Sequence, residues 1–367
     1  MERTYLDYAA TAPLRPEAKA HMMELLDVFG NPSSIHAEGQ LARNVLDASR
    51  RAVADILGVR AERVVFTSGG TEANNIALRG FKNLSSSKTL LISSVEHDCV
   101  RNTGKALGAG ELAVDETGVV KLDTLQDELA KGHVGLVSVM HANNENGVIQ
   151  PVEEIARLCR AAGVVFHTDA VQTVGHIPVD VDELGADMLS FAAHKFGGPK
   201  GAGVLVLKNE LEMQALITGG AQERNRRAGT ENVLAIGGMA TALQAAVEHM
   251  HAERALAEAM ASALEAGVAG MTGVHLAGAE AVKLGHVRQL LIPAMKGDDV
   301  VIGMDMRGVA VSQGSACGSG RVKESHVLSA MGLQDMAGHA VRMSWGWDSR
   351  LADIDVALEA LAGVVGR

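Results

Sequence analysis

Val152-Glu-Glu-Ile-Ala-Arg-Leu-Cys-Arg-Ala-Ala-Gly-Val-Val-Phe-His-Thr-Asp-Ala-Val-Gln172 is the stretch that decides the fold. Up to Ala162 its apolar residues recur at helical spacing, and after Gly163 the pattern changes to the unbroken run Val164-Val-Phe166, which reads as a buried strand. The same exchange repeats along the chain. Short runs rich in β-branched or large apolar residues fall at 63–67, 88–92, 135–140, 163–168, 187–191 and 203–207, with an amphipathic stretch at 71–81 after the first. Strands alternating with helices predict an α/β domain with a mostly parallel sheet flanked by helices. Upstream, 16–29 and 37–57 read as helices, the first opened by Pro16 and closed by Gly30, the second closed by Gly58. A helical stretch at 232–269 leads out of the sheet domain. Strands near 286–292, 308–312 and 340–344, with a helix from Leu351, predict a smaller α+β domain. The expected division is 15–255 for the large domain, and 1–14 with 256–367 for the small one.

Composition narrows the function. With 367 residues, 47% hydrophobic and 21% charged, the chain reads as a soluble globular protein large enough for two domains. Its net charge of −11 argues against a general nucleic-acid surface, although Arg224-Asn-Arg-Arg227 offers a local site for one anion. No apolar run approaches the eighteen or so residues that span a bilayer, and the N-terminus is not a signal peptide, so the expected location is cytoplasmic, without a membrane partner. Cys99, Cys159 and Cys317 are too few and too scattered for a disulfide framework or a zinc cluster. A special thiol here reads as a nucleophile.

Cys317 lies in Gly314-Ser-Ala-Cys-Gly-Ser-Gly320, flanked by small residues, about 120 residues after Lys195 in Ala193-His-Lys-Phe-Gly-Gly198. A thiol on a loop together with a lysine beside a glycine-rich turn suggests sulfur chemistry on a Schiff-base cofactor. Two of the further motifs admit two readings each. Thr67-Ser-Gly-Gly-Thr-Glu72 follows a strand and opens a helix, as a phosphate cradle does and as an ordinary capped turn does. Asp169 ends an apolar strand, where it either meets a protonated pyridine nitrogen or caps a helix. Lys195 falls near the carboxyl edge of the sheet, with Lys200 close by as a decoy. Asn143 to Gly147 reads as a polar turn, and Glu96-His97 as the end of a strand.

Taken together the motifs resemble the cysteine desulfurases, pyridoxal-phosphate enzymes of the class V aminotransferase group with the type I fold. The residues that carry the resemblance are Tyr5-Leu-Asp-Tyr-Ala-Ala-Thr11, Gly30-Asn-Pro-Ser-Ser-Ile-His36, Thr67 to Glu72, Glu96-His97, Ala142-Asn-Asn-Glu145, Asp169 to Gln172, His194-Lys195, Gln222 to Asn232 and Ser315-Ala-Cys317. They occur in the family's order over nearly the whole chain, and the Ser-Ala-Cys loop marks the branch with the more extended cysteine loop. The resemblance implies a seven-stranded type of sheet and the following roles. Lys195 forms the Schiff base and shuttles the Cα proton, Asp169 keeps the pyridinium protonated, and Gln172 bonds the phenolate oxygen. His97 stacks on the ring and acts as acid or base. Gly70, Thr71 and His194 hold the phosphate, with Thr230 reaching in from a second subunit of a homodimer. Asn144 belongs to the cofactor site and, with Arg342, binds the substrate carboxylate. Cys317 takes the sulfur of L-cysteine as a persulfide, leaving alanine, and hands it to an iron-sulfur scaffold or a sulfur-relay protein.

Three features depart from the pattern. Ala192 stands where a phosphate-binding serine is frequent, Trp345-Gly-Trp-Asp348 replaces small and basic residues after the arginine strand, and the chain ends at Arg367. A selenocysteine lyase would share nearly every motif. A class V transaminase would need no mobile thiol, and a catalytically idle carrier-binding partner would need neither Lys195 nor Cys317.

Overall fold

The computed structural model describes residues 3–81, 88–208, 211–314 and 324–366. Cys317 therefore lies outside the described residues. Strand β1 (Thr4–Tyr5) opens the chain and is followed by helices α1 (Pro16–Leu25) and α2 (Ala37–Ile56). Strand and helix then alternate through β2 (Val64–Thr67), α3 (Gly70–Gly80), β3 (Thr89–Ser93), α4 (Asp98–Ala106), β4 (Gly110–Leu112), α5 (Leu122–Ala130) and β5 (Val134–Ser138). They continue through α6 (Val152–Ala161), β6 (Val165–Asp169), α7 (Val181–Leu184), β7 (Met188–Ala192) and β8 (Gly203–Leu207). The long α8 (Val233–Ala269) leads to β9 (His275–Leu276), β10 (Val287–Leu291), α9 (Gly297–Asp305), β11 (Val309–Ala310), α10 (His326–Ala330), β12 (Ala340–Ser344) and α11 (Ala352–Val365).

The large sheet has seven strands in the order β2-β8-β7-β6-β5-β3-β4. Its core from β7 to β4 is parallel, as the apolar runs predict, and β8 runs antiparallel to both β7 and β2. Period-two alternation sends neighbouring side chains to opposite faces: Phe66, Val204, Val206 and Phe191 join one hydrophobic cluster, whereas Val65, Leu205 and Met188 join another. A third cluster gathers Leu6, the second half of α8, Leu290, Val341, Met343 and Trp345. Around it β12, β10 and β9 form an antiparallel sheet, and β1 pairs in parallel with β11.

The structure departs from the sequence expectations at several points. Helix α1 stops at Leu25 rather than Phe29, because the chain tightens there: Leu26 N–H donates to Met23 and Val28 N–H to Leu25. The strand expected at 308–312 shortens to Val309–Ala310, and Ser312 instead makes a lone bridge to Arg342. His97 does not end a strand; β3 closes at Ser93 and His97 is the N-cap of α4. An 18-residue window of α8 reaches a mean hydropathy of 1.2, although it contains no unbroken apolar run of that length. Of that window 61% is buried, and α8 packs on α1 and α2 at one end and on the third cluster at the other.

Candidate active site

A cavity of about 230 Å³ opens at the carboxyl edge of the large sheet, lined among others by Gly70, His97, Asp169, Gln172, His194 and Lys195. The register explains the convergence. Asp169 is the last residue of β6 and pairs with Ser190 of β7, whose next turn carries His194 and Lys195. Thr71, Asn144 and Ala192 line the same cavity, so most of the residues expected in the site meet there.

Asp169 is the electrostatic centre. Its Oδ1 accepts from Val171 N–H at 2.9 Å and its Oδ2 from Asn74 Nδ2 at 2.6 Å. It therefore caps the following turn and presents a carboxylate to the cavity; the two sequence readings are not exclusive. Burial raises its carboxyl above the ordinary value, opposed by the Val171 N–H, His97, Asn74 and Lys195. A buried carboxylate of this kind is completed by a cationic N–H.

Asn74 and Cys99 are the residues the motif reading missed. Asn74 Nδ2 also reaches Cys99 Sγ at 3.2 Å, and that sulfur lies 3.0 Å from His97 Nδ1. Cys99 N–H donates to the same ring nitrogen at 3.2 Å. Burial, then the Asp169 charge, pushes the Cys99 thiol up to about 12, so it remains a neutral thiol. The available signal was helical spacing: Asn74 falls one turn after Gly70 and Thr71.

Lys195 Nζ donates to the carbonyls of Ala9 at 2.6 Å and Ala10 at 3.0 Å. Gln172 Nε2 donates to the same Ala9 carbonyl at 3.1 Å, which draws the N-terminal segment over the site. His194 Nδ1 lies 3.2 Å from Thr11 Oγ1, and burial with the nearby Lys195 and Lys200 charges pushes its pKa down to about 4.

The start of α3 forms the far wall. Gly69 adopts φ +155°, and a Cβ on Gly70 would come within 2.7 Å of Val171 Cγ2. Small residues there leave the first N–H groups of the helix open toward the cavity, a cradle for an anion. Ala192 Cβ would sit 3.6 Å from that added carbon, so the alanine offers this wall a methyl rather than a hydroxyl.

Arg342 is buried beside the cavity. It donates through Nη1 to Asn144 O at 2.8 Å and through Nη2 to Asp7 Oδ1 at 2.7 Å, while its Nε has no hydrogen-bond partner among the described residues. Thr230 is exposed and is not among the cavity's lining residues in the single chain.

These features fit pyridoxal phosphate: a carboxylate for the ring nitrogen, a lysine amine, a helix N-terminus for the phosphate and a histidine at the cavity wall. The family model described as aminotransferase class-V matches residues 4–356. The cysteine desulfurase IscS of Dictyoglomus turgidum is 40% identical over 98% of this chain and 94% of its own length. That of Methanosarcina thermophila is 36% identical over 98% and 91%. A NifS-like protein from Rickettsia africae, solved by X-ray, is 30% identical, covers all of both chains and superposes with a TM-score of 0.93. The chain belongs to the class V aminotransferase family and, within it, to the cysteine desulfurases.

Proposed function

We propose that this protein converts L-cysteine to L-alanine and passes the sulfur to Cys317 as a persulfide, for delivery to an iron-sulfur scaffold or a sulfur-relay protein. The observation that carries the reading is the meeting of Lys195, Asp169 and His97 on one cavity. Pyridoxal phosphate bound there supplies the electron sink that makes the substrate's Cα proton and carbon-sulfur bond labile. Asp169 would hold the ring-nitrogen proton, Gln172 would donate to the ring oxygen, and Gly70, Thr71 and His194 would bind the phosphate. Asn144 lines the cofactor cavity as well. With the cofactor bound, Lys195 would hold it covalently and then move the Cα proton, while His97 would exchange a proton with the substrate thiol. Arg342 binds the substrate carboxylate together with Asn144, a lining residue of the cavity whose carbonyl Arg342 holds at 2.8 Å. Cys317 thiolate attacks the substrate sulfur: a sulfur-sulfur bond forms, the carbon-sulfur bond breaks with its electron pair going to carbon, and protonation of that carbon leads to alanine. No external oxidant is needed.

The same reading includes a homodimer in which Thr230 completes the partner's phosphate site. Its exposure supports this, as do the uncovered Phe29 and Ile35, at 83% and 91% exposure. It also includes a cytoplasmic location and the division at 15–255 against 1–14 with 256–367. The separate hydrophobic cluster that joins Leu6 to residues beyond Ala257 supports that division. The test is alanine production from L-cysteine by the purified, yellow protein, with sulfide released from the persulfide when a thiol reductant such as dithiothreitol is supplied. A colourless protein that releases no alanine after incubation with pyridoxal phosphate would overturn the reading.

A further inference from the structure

The backbone around Lys195 is also held by residues that do not line the cavity. His176 Nε2 lies 3.1 Å from the Lys195 carbonyl oxygen, and Arg15 Nε donates to the next carbonyl, that of Phe196, at 2.8 Å. A carbonyl only accepts, so His176 carries its proton on Nε2. Burial is the main cause that pushes its pKa down to about 4, which keeps that tautomer neutral near pH 7. Gly197 makes the close approach possible: with φ +88°, a Cβ there would stand 2.5 Å from Arg15 Cγ.

Both donors are in turn fixed by the segments flanking β10 and β12. The His176 ring stacks on His286, with centroids 4.1 Å apart and planes at 22°. The Arg15 guanidinium lies 5.6 Å from the centre of the Trp347 ring and pairs with both carboxylate oxygens of Glu253 at 2.7 Å. Trp347 Nε1 donates to Pro13 O at 3.1 Å, and Trp345 N–H donates to His286 O at 3.1 Å. His286 and Trp347 thus belong to one unit, the start of β10 and the segment just after β12. Arg342 lies on β12 itself. Beside the stack is a second cavity of about 230 Å³, lined by His176, His286, Lys283 and Gly346 among others.

We infer that His176 is a positioning residue for Lys195, its ring stack on His286 transmitting the placement of the Arg342-bearing sheet to the lysine backbone. Arg15 under Trp347 does the same for the residue that follows. The inference rests on the reading of Lys195 as the cofactor lysine. It also explains the Trp345-Gly-Trp347 segment, which ties the substrate-carboxylate side of the site to the lysine side so that the two keep their spacing.

The test uses the full-length protein loaded with pyridoxal phosphate, comparing wild type, His176→Leu, His176→Gln and Lys195→Ala. The readouts are the visible circular dichroism per bound cofactor, thermal stability, and kcat and KM separately. His176→Leu, which lacks the donor, should lose about half of the dichroism and about tenfold in kcat, with KM within about twofold, because small displacements of a reacting group are costly. His176→Gln, which keeps an N–H for the Lys195 carbonyl but loses the ring stack on His286, should restore only part of each. A leucine variant with lowered thermal stability but wild-type dichroism and kcat overturns the inference and leaves the cofactor reading intact. A wild type whose visible band survives in Lys195→Ala overturns the cofactor reading and the inference with it. Should His176→Leu not fold, His286→Ala against the stacking variant His286→Phe makes the same comparison: loss in the first with retention in the second supports the inference, and wild-type dichroism and kcat in both overturn it.

Discussion

Asn74 Nδ2 donates to Asp169 Oδ2 at 2.6 Å, joining α3, whose N-terminus forms the anion cradle, to the carboxylate at the end of β6. One amide therefore fixes the spacing between the anion cradle and the Asp169 carboxylate. Hydrogen bonds to charged groups contribute about 1.5–3 kcal/mol. Asn74→Ala should weaken pyridoxal phosphate binding to the apoprotein about tenfold or more, read by titrating the visible band. An unchanged affinity would mean that the Val171 N–H alone orients Asp169.

Lys195→Ala should remove the cofactor's covalent absorption and its borohydride-reducible link, whereas Lys200→Ala should retain both. Only Lys195 of the two lines the cavity. A reducible link at Lys200 in the Lys195→Ala protein would sink the assignment.

Arg50 and Glu223 form a buried bidentate pair at 2.6 and 2.7 Å, and Glu223 also accepts the Phe66 N–H at 2.9 Å. This pair anchors a rare run of left-handed backbone, Glu223, Arg224 and Asn225 at φ 45°, 57° and 61°, which opens the segment leading to Thr230. Removing one partner leaves a buried charge unpaired and costs about 3–5 kcal/mol. Glu223→Gln should lower the denaturation midpoint accordingly and shift the sedimenting species toward monomer. An active dimer of unchanged stability would contradict both the energetic account and the proposed dimer role of the segment.

His167 is fully buried between Ser138 Oγ at 2.8 Å and Ser190 Oγ at 3.0 Å, and burial pushes its pKa down to about 3. Between about pH 6.5 and 3 the unfolded chain takes up a proton at this residue that the folded chain does not. Stability therefore falls as pH drops through that window, by about 1.4 kcal/mol per unit. His167→Gln lacks this uptake, so its destabilisation relative to wild type should shrink by about 2 kcal/mol between pH 6.5 and 5 in urea unfolding. A constant difference would show that the imidazole is protonated in the folded state.

The fold was legible where hydrophobic periodicity changes sharply, as at Gly163, and where a glycine-bearing turn follows a strand, as at Gly69-Gly70. It was not legible where elements are too short to show a period: β4 and β9 have three and two residues, and α4 and α5 have nine each. The lysine, carboxylate and histidine of the site could be picked out because each sits in a motif beside a strand. The contacts that hold them could not, since they depend on sheet register across long stretches of chain. Asn74 meets Asp169 across 95 positions, and Arg342 meets Asp7 across 335. Nor does the pattern of Trp345-Gly-Trp347 disclose that His176, next to an unremarkable Gly175, stands between that segment and Lys195.

Sulfur transfer to Cys317 is tested by mass spectrometry of the peptide containing it after a single turnover with L-cysteine. The expected result is one added sulfur on Cys317, and a Cys317→Ala protein that stays yellow, binds L-cysteine and forms no alanine. Cys99 is the rival thiol, already inside the cavity, but its neutral state makes it a poor nucleophile. Sulfur found on Cys99 or Cys159, or alanine formed at an undiminished rate by Cys317→Ala, would contradict the account.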